Sequence, residues 1–214
     1  MSVLPHSSAR RRTVVSAGVV ASLALGLAAC GSGDKHTSAS APHHGNSPSA
    51  SAPGSFDAAD VTFAQMMIPH HQQAVSMAEL ADGRASDQEI KSLAADIEKA
   101  QGPEISTMQG WLASWGKPVS PSMDHNMPGM THGSGSSMPG MMSDKDMTGL
   151  KAAKGKDFDK RFTEMMIGHH KGAITMAEDE QKKGRNAAAK KLAVAVVKNQ
   201  QAEVDKMHKI LGRL

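Results

Sequence analysis

Phe63-Ala64-Gln65-Met66-Met67-Ile68-Pro69-His70-His71-Gln72-Gln73-Ala74-Val75-Ser76-Met77-Ala78-Glu79 returns ninety-nine residues later as Phe162-Thr163-Glu164-Met165-Met166-Ile167-Gly168-His169-His170-Lys171-Gly172-Ala173-Ile174-Thr175-Met176-Ala177-Glu178. Ten of the seventeen positions are identical, where chance would give one or two. The offset recurs downstream, pairing Leu93 with Leu192, Gln101 with Gln200, Glu104 with Glu203, Met108 with Met207 and Leu112 with Leu211. A small indel near Gly83/Gly184 separates the two blocks. Apolar residues recur at helical spacing throughout, and no stretch sustains the alternation of a strand. Each repeat therefore reads as a helix pair, and one pair alone would leave its apolar faces wet. Two pairs packed together give an all-α four-helix bundle with approximate two-fold symmetry.

The boundaries follow from capping chemistry. Asp57 is a candidate N-cap with Phe56 and Val61 at the spacing of a hydrophobic staple, and the first helix is expected to run to about Asp82 and stop at Gly83. Ser86-x-x-Glu89 reads as a capping box opening a second helix that ends near Trp115, before Gly116 and Pro118. The third helix is expected from about Asp157 to Lys183 and the fourth from Ala187 to Leu211. Repeat one spans 56–116 and repeat two 150–214. Between them, 117–149 is far longer than a usual bundle connection of about 2–8 residues.

Residues 1–29 read as an export signal, with Arg10, Arg11 and Arg12 before the apolar stretch Val14–Leu27 and the lipobox Leu27-Ala28-Ala29-Cys30. The stretch falls short of the ~18–20 apolar residues of a spanning helix. Removing the signal leaves 185 residues and takes away three arginines and no acid, so the formal charge falls from +3 to zero. A nucleic-acid partner loses its main support. Cys30, the single cysteine, is the expected lipidation site, carrying diacylglycerol and palmitate. The alternative, a cleaved secretory signal with a spare cysteine, fits the order of residues less closely. A lipidated Cys30 leaves no thiol for disulfides, zinc thiolates or nucleophilic catalysis. Residues 30–55, rich in Ser, Ala, Pro and Gly, read as a disordered tether. The protein is thus expected outside the cytoplasm, lipid-anchored to the cell membrane.

On a helical wheel, Met66, His70, Ala74 and Met77 lie within about 60° of Phe63, on the core-facing stripe. Met165, His169 and Met176 repeat the arrangement. Gln101, Glu104 and Met108 share a face of the second helix with Ile90, Ile97 and Leu112, as Gln200, Glu203 and Met207 do on the fourth. A symmetric bundle brings these polar and thioether stripes to one interior. His70, His169, Met66, Met165, Met77 and Met176 are the expected metal ligands, with Glu104 and Glu203 orienting them, and Met108 and Met207 join the candidate set. His71 and His170, on the flank, have two readings: exposed, or ligating with Met67 and Met166 at i, i+4. Methionine is also a common core filler, and a buried histidine is commonly only hydrogen-bonded. Two histidines and two glutamates in an interior are costly unless each is paired, yet each repeat contributes one of each. Pro69, Gly168 and Gly102-Pro103 weaken the helices beside it.

Thioether sulfur is soft and neutral and suits Cu(I) and Ag(I), while imidazole suits copper, zinc and nickel. Thioether also takes no proton, whereas free imidazole with a pKa of about 6.5 is mostly protonated at pH 5. The connector carries Met123, His125, Met127, Met130, His132, Met138, Met141, Met142 and Met147 among Gly, Pro and Ser. These nine residues read as a low-affinity metal-collecting arm that works where thiols oxidise; an inert spacer is the bland alternative.

The pattern Asp60-x-x-Phe63-x-x-Met66-Met67-Ile68-Pro69-His70-His71-x-x-Ala74-x-x-Met77-Ala78-Glu79, followed by Gln101-x-x-Glu104-Ile105-x-x-Met108-x-x-Trp111-Leu112, resembles the bacterial domain-of-unknown-function 305 family. The second copy, Asp159-x-x-Phe162 through Glu178 and Gln200-x-x-Glu203-Val204-x-x-Met207, resembles it too. This resemblance implies a ferritin-like four-helix bundle, exported or lipid-anchored, with some members linked to copper handling. Gly102-Pro103 and Ile210, opposite Trp111, depart from the pattern. A di-iron oxidase would need Glu-x-x-His, which does not occur; Asp205-x-x-His208 is the nearest. No nucleophile–base pair, phosphate loop or cofactor fingerprint is present, so no enzyme is expected. The expected function is copper or silver buffering or chaperoning, with copper ion, Cu(I) favoured, as the bound metal and an envelope copper-handling protein as partner. The competing reading is a metal-free structural or interaction module of the envelope.

Overall fold

Asp57 starts helix α1 (Ala58–Glu79): its side chain accepts from the Ala59 and Asp60 N–H groups, while Asp60 accepts from the N–H of Asp57. The computed structural model describes residues 54–120 and 138–214. The signal, Cys30, most of the tether, and Met123, His125, Met127, Met130 and His132 lie outside the described residues. Phe56 stacks on Trp115 with ring centroids 4.7 Å apart, tying the entry of α1 to the end of α3 (Gln88–Ser114).

Four boundaries differ from the expectation. Helix α1 stops at Glu79, because the Leu80 N–H turns three residues back to Met77 and tightens the last turn; a single-turn helix, α2 (Ala81–Arg84), follows. Asp87, not Ser86, caps α3, accepting from Glu89 and Ile90 N–H groups, since the Ser86 hydroxyl is taken by Asp159. Within the connector, Ser143 and Asp146 form a capping box that opens α4 (Asp144–Ala152). Helix α5 begins at Gly155 and runs to Lys183. Helix α6 spans Ala187–Leu211. Pro69 and Pro103 lie inside continuous helices. At Gly116, φ is 65°, and the Lys117 N–H reaches Leu112 while the Gly116 N–H reaches Ala113, which closes α3.

α1 packs on α3 and α5 on α6 as two hairpins, and α1 faces α5 across the middle, completing an all-α four-helix bundle. No strand and no helix long and apolar enough to cross a membrane occurs among the described residues. Two buried aspartates bolt the hairpins together. Asp60 on α1 accepts from the Arg185 and Asn186 N–H groups at the start of α6, at 3.1 and 2.8 Å. Asp159 on α5 accepts from Ser86 and Asp87 at the start of α3, at 3.0 and 3.1 Å. Both junctions keep the ninety-nine-residue offset, so the irregularity near Gly83/Gly184 is the break at Leu80, not an indel.

The apolar core is two clusters related by the repeat. Ala74, Met77, Ile90, Leu93, Ile97, Phe158, Phe162, Met166 and Met207 belong to one; Phe63, Met67, Met108, Leu112, Ala173, Met176 and Val196 to the other. Burying each large side chain contributes about 1.5–3 kcal/mol. Along every long helix the two clusters are interrupted at the same level by polar residues.

Candidate metal centre

That level is a polar layer: His70 and His71 on α1, Gln101 and Glu104 on α3, His169 and His170 on α5, Gln200 and Glu203 on α6. The four histidines and both glutamines are buried. His71 and His170, open between exposure and ligation in the sequence, are at 0% exposure. Their Nε2 atoms meet Glu104 Oε2 and Glu203 Oε2 at 2.7 and 2.6 Å. The glutamates therefore hold the flanking histidines and not His70 and His169, as the wheel implied. A helical step of one residue turns the second His of each pair toward its own hairpin partner.

His70 and His169 meet at the centre, ring centroids 3.8 Å apart and planes at 39°. The His70 Nε2–H donates to the Pro139 carbonyl at 3.0 Å. Pro139 lies on a short strap held by Gln73, whose amide donates to Met142 O at 2.9 Å and accepts from Met142 N at 2.7 Å. Gly172 allows this approach, because a Cβ there would overlap the Pro139 carbonyl, and Gly140 turns beside it with φ at 78°.

Tautomers follow from these partners. A carboxylate or carbonyl accepts, so Nε2 of His70, His71 and His170 carries hydrogen and Nδ1 presents its lone pair. Among the described residues no group pairs with Nδ1 of His70, His71, His169 or His170, nor in good alignment with Nε2 of His169. Burial pushes His70 down to about 4, against the Pro139 carbonyl, which favours the charged form. Burial, reinforced by His70, His170 and His71, pushes His169 well below the usual imidazole range. The central rings are thus neutral at physiological pH, the state that binds metal.

The thioethers divide between the flanking clusters instead of gathering at the His pair. Met67, Met108 and Met176 lie in one, with Met66 packed against it; Met77, Met166 and Met207 lie in the other, with Met165 packed against it. Met142 and Met147 pack on the latter cluster, and Met138 and Met141 are half-buried. Among the described residues no three His, Cys, Asp or Glu side chains are placed to hold one ion between them. The layer offers imidazole nitrogens, and the thioethers stand apart from it in the clusters on either side.

Sequence reading used Asp60 and Asp159 only as pattern letters, and passed over the Gln73–Gly172 seat of the strap and Glu180. Gly172 opposite Gln73, and Glu180 opposite Ala81, are departures from the repeat that mark these places. Burial, with Asp60 beside it, pushes Glu180 up to about 8.

Residues 60–211 match the family described as Domain of unknown function (DUF305). Among solved structures, the chain is 34% identical to a DUF305 protein from Streptomyces coelicolor described as secreted, covering 76% of this chain and 94% of that one, with a TM-score of 0.65. A DUF305 fragment from Deinococcus radiodurans is 30% identical over 74% and 98%, with a TM-score of 0.63. CopM in its Cu(II)-bound form is 33% identical over 72% and 96%, with a TM-score of 0.60. CopM is also solved with Cu(I) and with Ag bound. No curated protein matches the chain.

Proposed function

The chain belongs to the DUF305 family, and we propose that it is an extracytoplasmic, lipid-anchored carrier of Cu(I), also accepting Ag(I), with no catalytic role. The observation that carries the reading is the set of four buried imidazoles whose Nδ1 atoms have no protein partner. Leaving such atoms unpaired in an interior costs about 1–3 kcal/mol each, a cost that coordination would remove. His70 and His169 form the central pair. Glu104 and Glu203 fix the tautomer of His71 and His170, as carboxylates do for ligating histidines.

CopM, binding copper and silver, supports copper and silver as the cargo. The Streptomyces relative, described as secreted, supports an extracytoplasmic place, with the lipid on Cys30 as anchor. The Met and His residues of 117–149 serve as the collecting arm, and an envelope copper-handling protein is the expected partner.

Anaerobic titration of the full chain with Cu(I) against a colorimetric chelator tests this. The protein competes for the ion, and His70→Leu with His169→Leu removes part of that capacity. A second reading, an envelope module without metal, is favoured by one fact: each His–Glu pair joins the two helices of its own hairpin and so acts as a bolt. A melting temperature unmoved by copper would select it.

A further inference from the structure

The repeat lets each hairpin serve as a control for the other, because matched positions carry the same packing duties. Their charges are opposed. Residues 57–114 hold nine acids and three bases, whereas the matched 156–213 hold eight acids and thirteen bases. The zero formal charge of the chain without its signal therefore conceals an acidic half, α1 with α3, and a basic half, α5 with α6.

On α5 part of the excess is neutralised locally, since Arg161, Lys182 and Lys183 pair with Asp157, Glu178 and Asp179 one turn away. On α6 it is not: among the described residues Lys191, Lys198, Lys206 and Lys209 join no ion pair. Lys191, Lys198 and Lys209 are exposed and fall within about 20° of one line along the outer face of α6, about 27 Å long. Val194 lies about 60° to one side of that line and Lys206 about 60° to the other. Val194, 54% exposed, is the one large apolar side chain that stands exposed on a helix among the described residues. The cognate line on α3 is Ser92, Lys99 and Gly110, with Glu89 and Asp96 beside it where α6 has Ala188 and Ala195. The fold does not require the lysines, because α3 packs on α1 without them.

We propose that this face of α6 docks on anionic phospholipid headgroups, laying the bundle on the membrane with the α5–α6 half down and the α1–α3 half outward. The surface is independent of the metal reading, and the choice of a membrane rests on the lipid-anchored reading above. A fluid layer of phosphates needs no shape match, and each lysine near it adds attraction that salt screens. A protein partner fits less well. Protein interfaces close around a buried apolar centre and are depleted in lysine, whereas here Val194 stands alone among lysines. The 23 residues between Cys30 and Gly54, at up to about 3.5 Å each, give the bundle enough chain to turn α6 toward the surface.

The test uses the full lipidated chain carrying Val194→Cys or its repeat counterpart Ala95→Cys, each labelled with an environment-sensitive dye. The protein is reconstituted into phosphatidylcholine vesicles, with or without phosphatidylglycerol, that contain a nitroxide headgroup lipid as quencher. With phosphatidylglycerol, quenching at 194 exceeds that at 95 severalfold, and the difference vanishes on neutral vesicles or in about 1 M salt. Lys191→Gln with Lys198→Gln and Lys209→Gln abolishes the difference. Arg161→Gln with Lys182→Gln and Lys183→Gln, the same change in net charge, leaves it. Equal quenching at the two positions on phosphatidylglycerol would overturn the docking face, and copies that instead associate at low salt would assign the basic face to the acidic half of a second copy. Protein that fails to float with neutral vesicles would overturn the lipid anchor, and the docking face would still stand or fall on the difference between 194 and 95.

Discussion

The imidazoles of His70 and His169, ninety-nine residues apart in the chain, lie with centroids 3.8 Å apart at the centre of the bundle. Each stands on the middle turn of a repeat's first helix, so the duplication itself brings them together. Among the described residues neither ring nitrogen of His169 has a well-aligned partner, although the His70 backbone lies close to the ring.

His169→Leu therefore separates stability from function. Removing two unpaired polar atoms stabilises the metal-free protein by about 1–2 kcal/mol. The same change lowers the rise in melting temperature that Ag(I) produces in the parent. Thermal unfolding with and without silver reads both effects. A destabilised metal-free variant would mean that the ring serves packing.

Glu104→Ala and Glu203→Ala each strand a buried imidazole N–H and should cost about 1–3 kcal/mol. The pairs are related by the repeat, with bonds of 2.7 and 2.6 Å, so the two losses should be similar. Urea denaturation measures them. A loss confined to one hairpin would show that the symmetry is not energetic.

Stability should be greatest near pH 6.5, with His70 and His169 together on the acid limb and Glu180 on the alkaline one. His70 is held at about 4 in the folded protein, against 6.5 for an ordinary imidazole. Between those values the unfolded chain binds the extra proton, so stability falls as pH drops from about 6.5 to 4, by up to about 3 kcal/mol. Glu180 is raised from 4.5 to about 8. Through that window the folded state holds the proton, so stability falls as pH rises towards 8. Glu180→Gln should flatten the alkaline limb, and His70→Leu should reduce the acid one, leaving the part that His169 supplies, in melting temperatures taken from pH 4 to 9. Limbs unchanged in these variants would contradict the assignment.

Gly172→Ala gains about 1 kcal/mol of helix propensity but places a methyl group against the Pro139 carbonyl. The strap must lift, leaving the His70 N–H without its acceptor. Net destabilisation and faster amide exchange at Met142 are expected. Unchanged exchange would show that the strap tolerates the methyl.

The fold was legible because the duplication repeats apolar spacing and caps together. The level of His70 and His169 was legible for the same reason. The partner of each histidine was not: a wheel places residues on a face, whereas the choice of Glu104 for His71 over His70 depends on the rotation of α3 against α1. The thioethers were misjudged for a related reason. Met66 and Met77 share a stripe with His70 but stand one turn before it and two turns after it, which puts them in different apolar clusters. Helix α4 was hidden among the Gly, Pro and Met of the connector, although Ser143-x-x-Asp146 announces its start. Gly172 and Glu180 were visible only as breaks in the repeat, whose meaning needs the neighbouring helix.

The central claim is that a soft ion coordinates the buried imidazoles. ¹⁵N NMR of histidine-labelled full chain during Ag(I) addition tests it most directly. The account predicts that Nδ1 of His70 and a ring nitrogen of His169 shift together and saturate at a defined stoichiometry, while the Nε2–H of His71 and His170 stay bonded to Glu104 and Glu203. Ring nitrogens of His70 and His169 that keep their metal-free shifts through excess silver would contradict it.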